Sequence, residues 1–186
     1  LNYGGTNITY SILAADVVYI LKCILAPNVP GNDGDFRPIT INAKKGSVFN
    51  CEIPAAVNQR TRSLWNVPPS IMKALAEIIP EKIQAPTGYP VSFKTYGVTD
   101  NGEKFNDHMF QGGGQGAGSF CDGQSTLLFP TSAGNVSVEM FEMRTGFVVM
   151  EKEFIPDSGG AGKYRGAPGQ RVTIRRRPSE KKGSYQ

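Results

Sequence analysis

Two glycine-rich runs and a single histidine carry most of the chemistry open to this chain. The runs are residues 112–118 (GGGQGAG) and 158–169 (SGGAGKYRGAPG), and the histidine is His108. Glycine-rich backbone suits anions, because successive N–H groups can converge on an oxygen where no Cβ intrudes. In the first run Gly113, Gly114 and Gly116 are the candidate substrate-binding positions. In the second, Lys163 and Arg165 add cations able to make charge-assisted hydrogen bonds. His108 stands four residues before the first run. A lone histidine can be a general base, a metal ligand or a packed surface residue. With no second histidine it cannot build a multi-histidine metal site. Asp122, followed by Gly123, is a candidate catalytic carboxylate, and aspartate is equally favoured there as a turn residue.

Two nucleotide motifs can be tested against the runs. A Walker loop needs Gly, four residues, then Gly-Lys-Ser/Thr. Around Gly162-Lys163 the early position is Asp157 and the late one is Tyr164, so it fails. Residues 112–117 satisfy GxGxxA as text, but residues 119–123 (SFCDG) do not open a helix and no βαβ unit surrounds the run. The alternative to ligand binding is plain: tight turns in an irregular sheet. Glu139 and Glu142 lie in a segment that reads as a strand, where a spacing of three puts them on opposite faces.

The elements that must hold these residues fall into two parts. Residues 1–85 are the helix-containing part. A first helix spans residues 11–25 and is apolar on nearly every side, so burial on most faces is expected. Residues 38–43 and 47–53 read as strands. A second helix spans residues 67–79, with Pro68 and Pro69 in its first turn and a stripe of Ile71, Leu75, Ile78 and Ile79. Residues 86–186 are strand-rich and contain both glycine runs. Strands are expected over residues 91–98, 125–129, 136–143, 147–154 and 171–176. Helices first and strands later give an α+β class.

Composition narrows the function. The 186 residues are 39% hydrophobic and 19% charged, with 22 Gly and 13 Pro, so many positions serve turns. Residues 163–182 hold eight basic residues and one acid, against a net charge of +4 for the whole chain. No zinc-ligand pattern or aromatic platform accompanies this run, so a solvated strand and tail is expected rather than a nucleic-acid surface. Residues 8–25 are long enough for a membrane span but carry Asp16 and Lys22, each costing roughly 2.5–3.5 kcal/mol at a bilayer centre. Cys23, Cys51 and Cys121 are too far apart for a disulfide framework or a zinc site. Three free thiols and no visible signal peptide fit the cytoplasm. The start at Leu1 and the trailing basic end read as a piece of a longer chain.

Six segments together resemble one family, the B-type subunits of ATP-dependent hydantoinases, with relatives in 5-oxoprolinase, caprolactamase and the acetone and acetophenone carboxylases. They are LNYGGTN at residues 1–7, NDGDFRPITINAKKGSVFN at 32–50, PAAV at 54–57, QGGGQGAG with the following CDG at 111–123, NVSVEMFE at 135–142 and PDSGGAGKYRGAPGQ at 156–170. One departure is visible: the family usually reads Arg-Gly-Gly-Leu-Gly where this chain has Arg165-Gly166-Ala167-Pro168-Gly169. The resemblance implies the middle-to-late part of a longer subunit whose metal ligands lie outside these residues. It implies an A-type partner subunit that holds ATP and Mg and phosphorylates a carbonyl or enol oxygen of a small lactam, imide or ketone. The B-type subunit then hydrolyses the activated ring or, in the carboxylases, completes carboxylation. On that implication the glycine runs, Lys163 and Arg165 would face a phosphorylated anion, and His108 would serve as base toward water. A region that only scaffolds the complex is the competing expectation. Convergence of the two runs and His108 on one place separates the two.

Overall fold

The computed structural model describes residues 4–99, 101–131 and 133–178. The chain is α+β and divides into two units, Leu1–Ala85 and Pro86–Gln186. Glu180, Lys181 and Lys182 of the basic run lie outside the described residues.

In the first unit α1 (Tyr10–Leu25) buries Leu13, Val18, Ile20 and Ile24 and leaves Tyr19, Cys23 and Leu25 exposed. One side therefore stays open, where burial on most faces was expected. Ile8, Leu13 and Val67 form the centre of this core, with Ile12, Val17, Ile41, Leu64 and Ile71 packed around them. A short helix, α2 (Arg60–Leu64), leads into α3 (Val67–Leu75), whose first turn holds the two prolines. Helix α3 stops four residues short of the expected end and turns Val67, Pro68 and Met72 inward. Ile78, placed in the apolar stripe by sequence, is 73% exposed.

The strands expected over residues 38–43 and 47–53 do not form. Ser47 and Asn50 make one isolated bridge, and residues 44–50 close on themselves through Gly46 N–H to Asn50 O (2.9 Å) and Ser47 N–H to Lys44 O (3.2 Å). Backbone committed to a local turn is not available for a ladder.

Asp16, on α1, is half-buried, and its Oδ2 has no hydrogen-bond partner. Desolvation pushes its carboxyl from 3.8 up to about 6. The folded state therefore holds the proton more tightly, and stability falls as pH rises between those two values. The fully desolvated cost would approach ~3 kcal/mol, and screening of a half-exposed group reduces it to about 1 kcal/mol. Asp16→Asn should raise the melting temperature at pH 7 and leave it unchanged near pH 3. Equal melting temperatures at pH 7 would remove this account.

The second unit is built on two antiparallel hairpins. Strand β1 (Val91–Val98) pairs with β2 (Lys104–Gln111), and β3 (Phe147–Phe154) pairs with β4 (Gln170–Arg176). Helix α4 (Val138–Arg144) packs against β2 and β3. Phe93 of β1 meets Phe141 and Phe147 edge-on at centroid distances of 6.5 and 6.1 Å, and Met109 is fully buried on the same inner face.

Three sequence expectations differ here. Residues 138–144 are helical, not a strand, because Ser137 caps them: its Oγ accepts the Met140 N–H at 3.3 Å. Glu139 and Glu142 are then one helical turn apart, and Glu142 is committed to the Val149 N–H at 2.7 Å. Residues 125–129 are loop, with Thr126 in the left-handed region at φ 59°. Strand β2, which carries His108, was not anticipated. Its alternation of Phe105, Asp107 and Met109 inward is interrupted by polar neighbours that hide the period.

Candidate functional site

The glycine runs meet, and they meet through backbone. Gln115 O accepts the Ala167 N–H at 3.0 Å, and the Gly123 N–H donates to Arg165 O at 2.8 Å. Gln115 N–H reaches Gln124 O at 2.9 Å, Gly88 N–H reaches Gly114 O at 2.8 Å, and the Gln170 side-chain amide donates to Gly112 O at 2.6 Å. Five stretches of chain thus cross in one knot: residue 88, 112–116, 122–124, 165–168 and Gln170.

Close crossing explains much of the glycine. A Cβ on Gly123 would fall well inside van der Waals contact distance of Gln115 O, and one on Gly159 well inside that of Gly166 O. Gly88 and Gly113 lie back to back, so a Cβ on either overlaps the other's backbone. Gly114, at φ +81°, has Ala167 Cβ 2.8 Å and Pro168 O 3.0 Å from where its own Cβ would stand. Ala167, which with Pro168 departs from the usual family text, therefore places its methyl against a residue that has none.

The knot uses only part of the loop's hydrogen-bonding capacity. The carbonyls of Gly112, Gly114 and Gln115 are taken. The N–H groups of Gly113, Gly114 and Gly116 donate to no acceptor among the described residues. Gly114 and Gly116 are buried and Gly113 is half-buried. A buried N–H left unpaired costs about 1–3 kcal/mol, and Gly114 and Gly116 are the two buried residues of this set.

Arg165 sits at the seam. Its N–H donates to Asp122 Oδ1 at 2.7 Å, its carbonyl receives Gly123, and its guanidinium pairs with Asp157. Asp122 thereby ties the runs together. Asp157 takes a left-handed φ of 60° to reach its place. Lys163 is exposed and holds its Nζ 5.3 Å from the Tyr164 ring centre. Sequence reasoning found Asp122 and Arg165 but missed Gly88, Asp157 and Gln170. Asp157 and Gln170 lie inside the family-like segment 156–170, but their roles depend on partners 8 and 58 residues away.

His108 is elsewhere. At roughly 3.4 Å per residue of antiparallel strand, it lies about 14 Å along the chain from Gly112, which stands just past the end of β2. It is exposed on the outer face of the hairpin, with its ring edge-on to Phe110 at 4.9 Å. The structure brings together Gly113, Gly114, Gly116, Asp122 and Arg165, and does not bring His108 to them. Among the described residues, no group of three or more His, Cys, Asp or Glu could hold a metal ion. All three cysteines are free thiols. No helix of the described residues is long and apolar enough to cross a membrane.

A family model described as hydantoinase B/oxoprolinase matches residues 2–184. The chain belongs to that family. Among its hydantoinase B/oxoprolinase relatives is the 5-oxoprolinase PfmaA of Pestalotiopsis fici, 27% identical over 176 residues. That match covers 90% of this chain and 13% of the relative. A putative B-type subunit of a D-/L-hydantoinase from a Pseudomonas species is 30% identical over 152 residues, covering 81% of this chain and 25% of that protein. A nucleotide-free structure of acetone carboxylase shares the fold, with a TM-score of 0.72 at 19% identity over 89% of this chain and 23% of the other. These 186 residues therefore span a quarter or less of each of these three relatives.

Proposed function

We propose that this chain is part of the B-type subunit of an ATP-dependent cyclic-amide hydrolase. It acts on a lactam or imide phosphorylated by an A-type partner, which holds the ATP and Mg, in the cytoplasm. The observation that carries the reading is the set of three unpaired N–H groups at Gly113, Gly114 and Gly116, in a family whose relatives include a B-type hydantoinase chain. Donors fixed in advance suit an oxygen that gains charge during reaction, because they need no reorganisation when the charge appears. Arg165 stands at the same seam, with its backbone fixed and guanidinium donors to spare beyond the one given to Asp157. Asp122 holds Arg165 in place through its N–H. His108, on the outer face of the hairpin, is left out of this machinery. The family's metal ligands are proposed to lie outside these residues.

The test is an assay of the complete subunit pair with ATP on hydantoins, 5-oxoproline, and acetone with bicarbonate. ATP-dependent ring opening is expected. Carboxylation of acetone without ring opening would move the assignment to the ketone carboxylases. The 186-residue chain alone should turn over neither ATP nor a hydantoin, and turnover by it would contradict the subunit role.

A further inference from the structure

The β1–β2 hairpin has two faces of opposite character. Phe93, Thr95 and Met109 point inward to α4 and the phenylalanine cluster. The register places Ser92, Lys94, Tyr96 and Val98 on the outer face, opposite Phe110, His108, Asn106 and Lys104. Tyr96 is 85% exposed and Val98 57%. The exposed apolar side chains of the face, Tyr96 and Val98, lie toward its turn end beside Asn106 and Lys104, and His108 stands against Phe110. Its charged side chains are Lys94 and Lys104, and it holds no carboxylate. Among the described residues each strand pairs only with the other.

We propose that this outer face docks an acidic protein surface, with an apolar patch to receive Tyr96 and Val98, supplied by the part of the family's B-type polypeptide that these 186 residues do not span. Three observations select that occupant. The B-type hydantoinase relative has about three times as much chain again as the match covers, and its whole is one polypeptide. A second copy is a poor fit, because two such faces would bring Lys94 and Lys104 against their own like charges with no acid to offset them. Single-stranded nucleic acid needs successive open ring faces. Here His108 stands at 86° to Phe110, Phe110 is half-buried, and Tyr96 alone presents a free ring. A large exposed aromatic in a polar rim is the pattern of an interface anchor.

The experiment places photoreactive p-benzoylphenylalanine at Tyr96 in the complete subunit, assembled with its A-type partner from a mixture of light and heavy B-type chains. The expected product is a cross-link within one polypeptide, to a segment bearing Asp or Glu. The paired change Lys94→Glu and Lys104→Glu should cut its yield at least tenfold with an unchanged melting temperature. A light–heavy cross-link, a cross-link to the A-type subunit, capture of added single-stranded RNA, or a label that stays solvent-exposed without product would each overturn the proposal. If the double variant fails to fold, the wild-type cross-link alone still decides among these outcomes.

Discussion

Gly123→Ala should leave little folded protein, while Gly160→Ala should behave as wild type. The added methyl at Gly123 meets three backbone atoms of other segments, Gln115 O inside contact distance and Ala167 N and Gln115 C at 2.9 Å. Neither segment can swing aside, because Gln115 O and Ala167 N are hydrogen-bonded to each other. Overpacking of this kind costs about 1–3 kcal/mol, and more when backbone must move. Against a total stability of roughly 5–15 kcal/mol, a loss of about 3 kcal/mol or more shows as a collapse in soluble yield and cooperative melting. Gly160 belongs to the same glycine-rich text, yet nothing lies within 4 Å of the position its Cβ would take. Differential scanning of both variants checks the pair. A Gly123→Ala protein that melts like wild type would mean the knot is not closed as described.

Arg165→Ala should lower kcat/KM of the assembled enzyme by about 10- to 100-fold, the worth of a hydrogen bond to a charged group at roughly 1.5–3 kcal/mol. Stability should change little. The backbone N–H and carbonyl that bind Asp122 and Gly123 survive the substitution, and the guanidinium pair with Asp157 is exposed, where such pairs are worth ~0–1 kcal/mol. Arg165→Lys should recover part of the loss. Asp122→Asn, which keeps an oxygen acceptor for the Arg165 N–H, should be milder than Asp122→Ala. Wild-type kcat/KM in a folded Arg165→Ala enzyme would exclude the anion-binding role of this residue.

The parts of this molecule legible in sequence were those whose cause is local. Helix α1, the prolines opening α3, strands β1, β3 and β4, and the two glycine runs each follow from a pattern within a dozen residues. Residues 136–143 alternate like a strand, yet one serine cap and the packing of Phe141 make their core a helix. Segment 38–43 alternates too, and finds no neighbouring strand to pair with. Glycine density signalled a close approach but not to what. A crossing backbone and a bound anion demand the same missing Cβ, and it is the folded chain that reveals Gly123 and Gly159 as serving the first. His108 drew notice through its rarity, which carries no information about position.

The span of the knot has a bearing on how the second unit acquires its structure. Asp122 and Arg165 are 43 residues apart, and Gly112 and Gln170 are 58 apart. Closing such loops costs entropy that rises slowly with length and must be met before the contacts form. The β1–β2 hairpin, by contrast, needs only neighbouring residues. During synthesis the hairpin can pair early, but residues 112–116 must wait until residue 170 has emerged. Through that interval three N–H groups and a run of bare glycine backbone stand open to solvent and to other nascent chains. Topologies dominated by distant pairings fold slowly for this reason. A stop codon between residues 124 and 165 would leave residues 112–116 without the partners they take from Ala167 and Gln170.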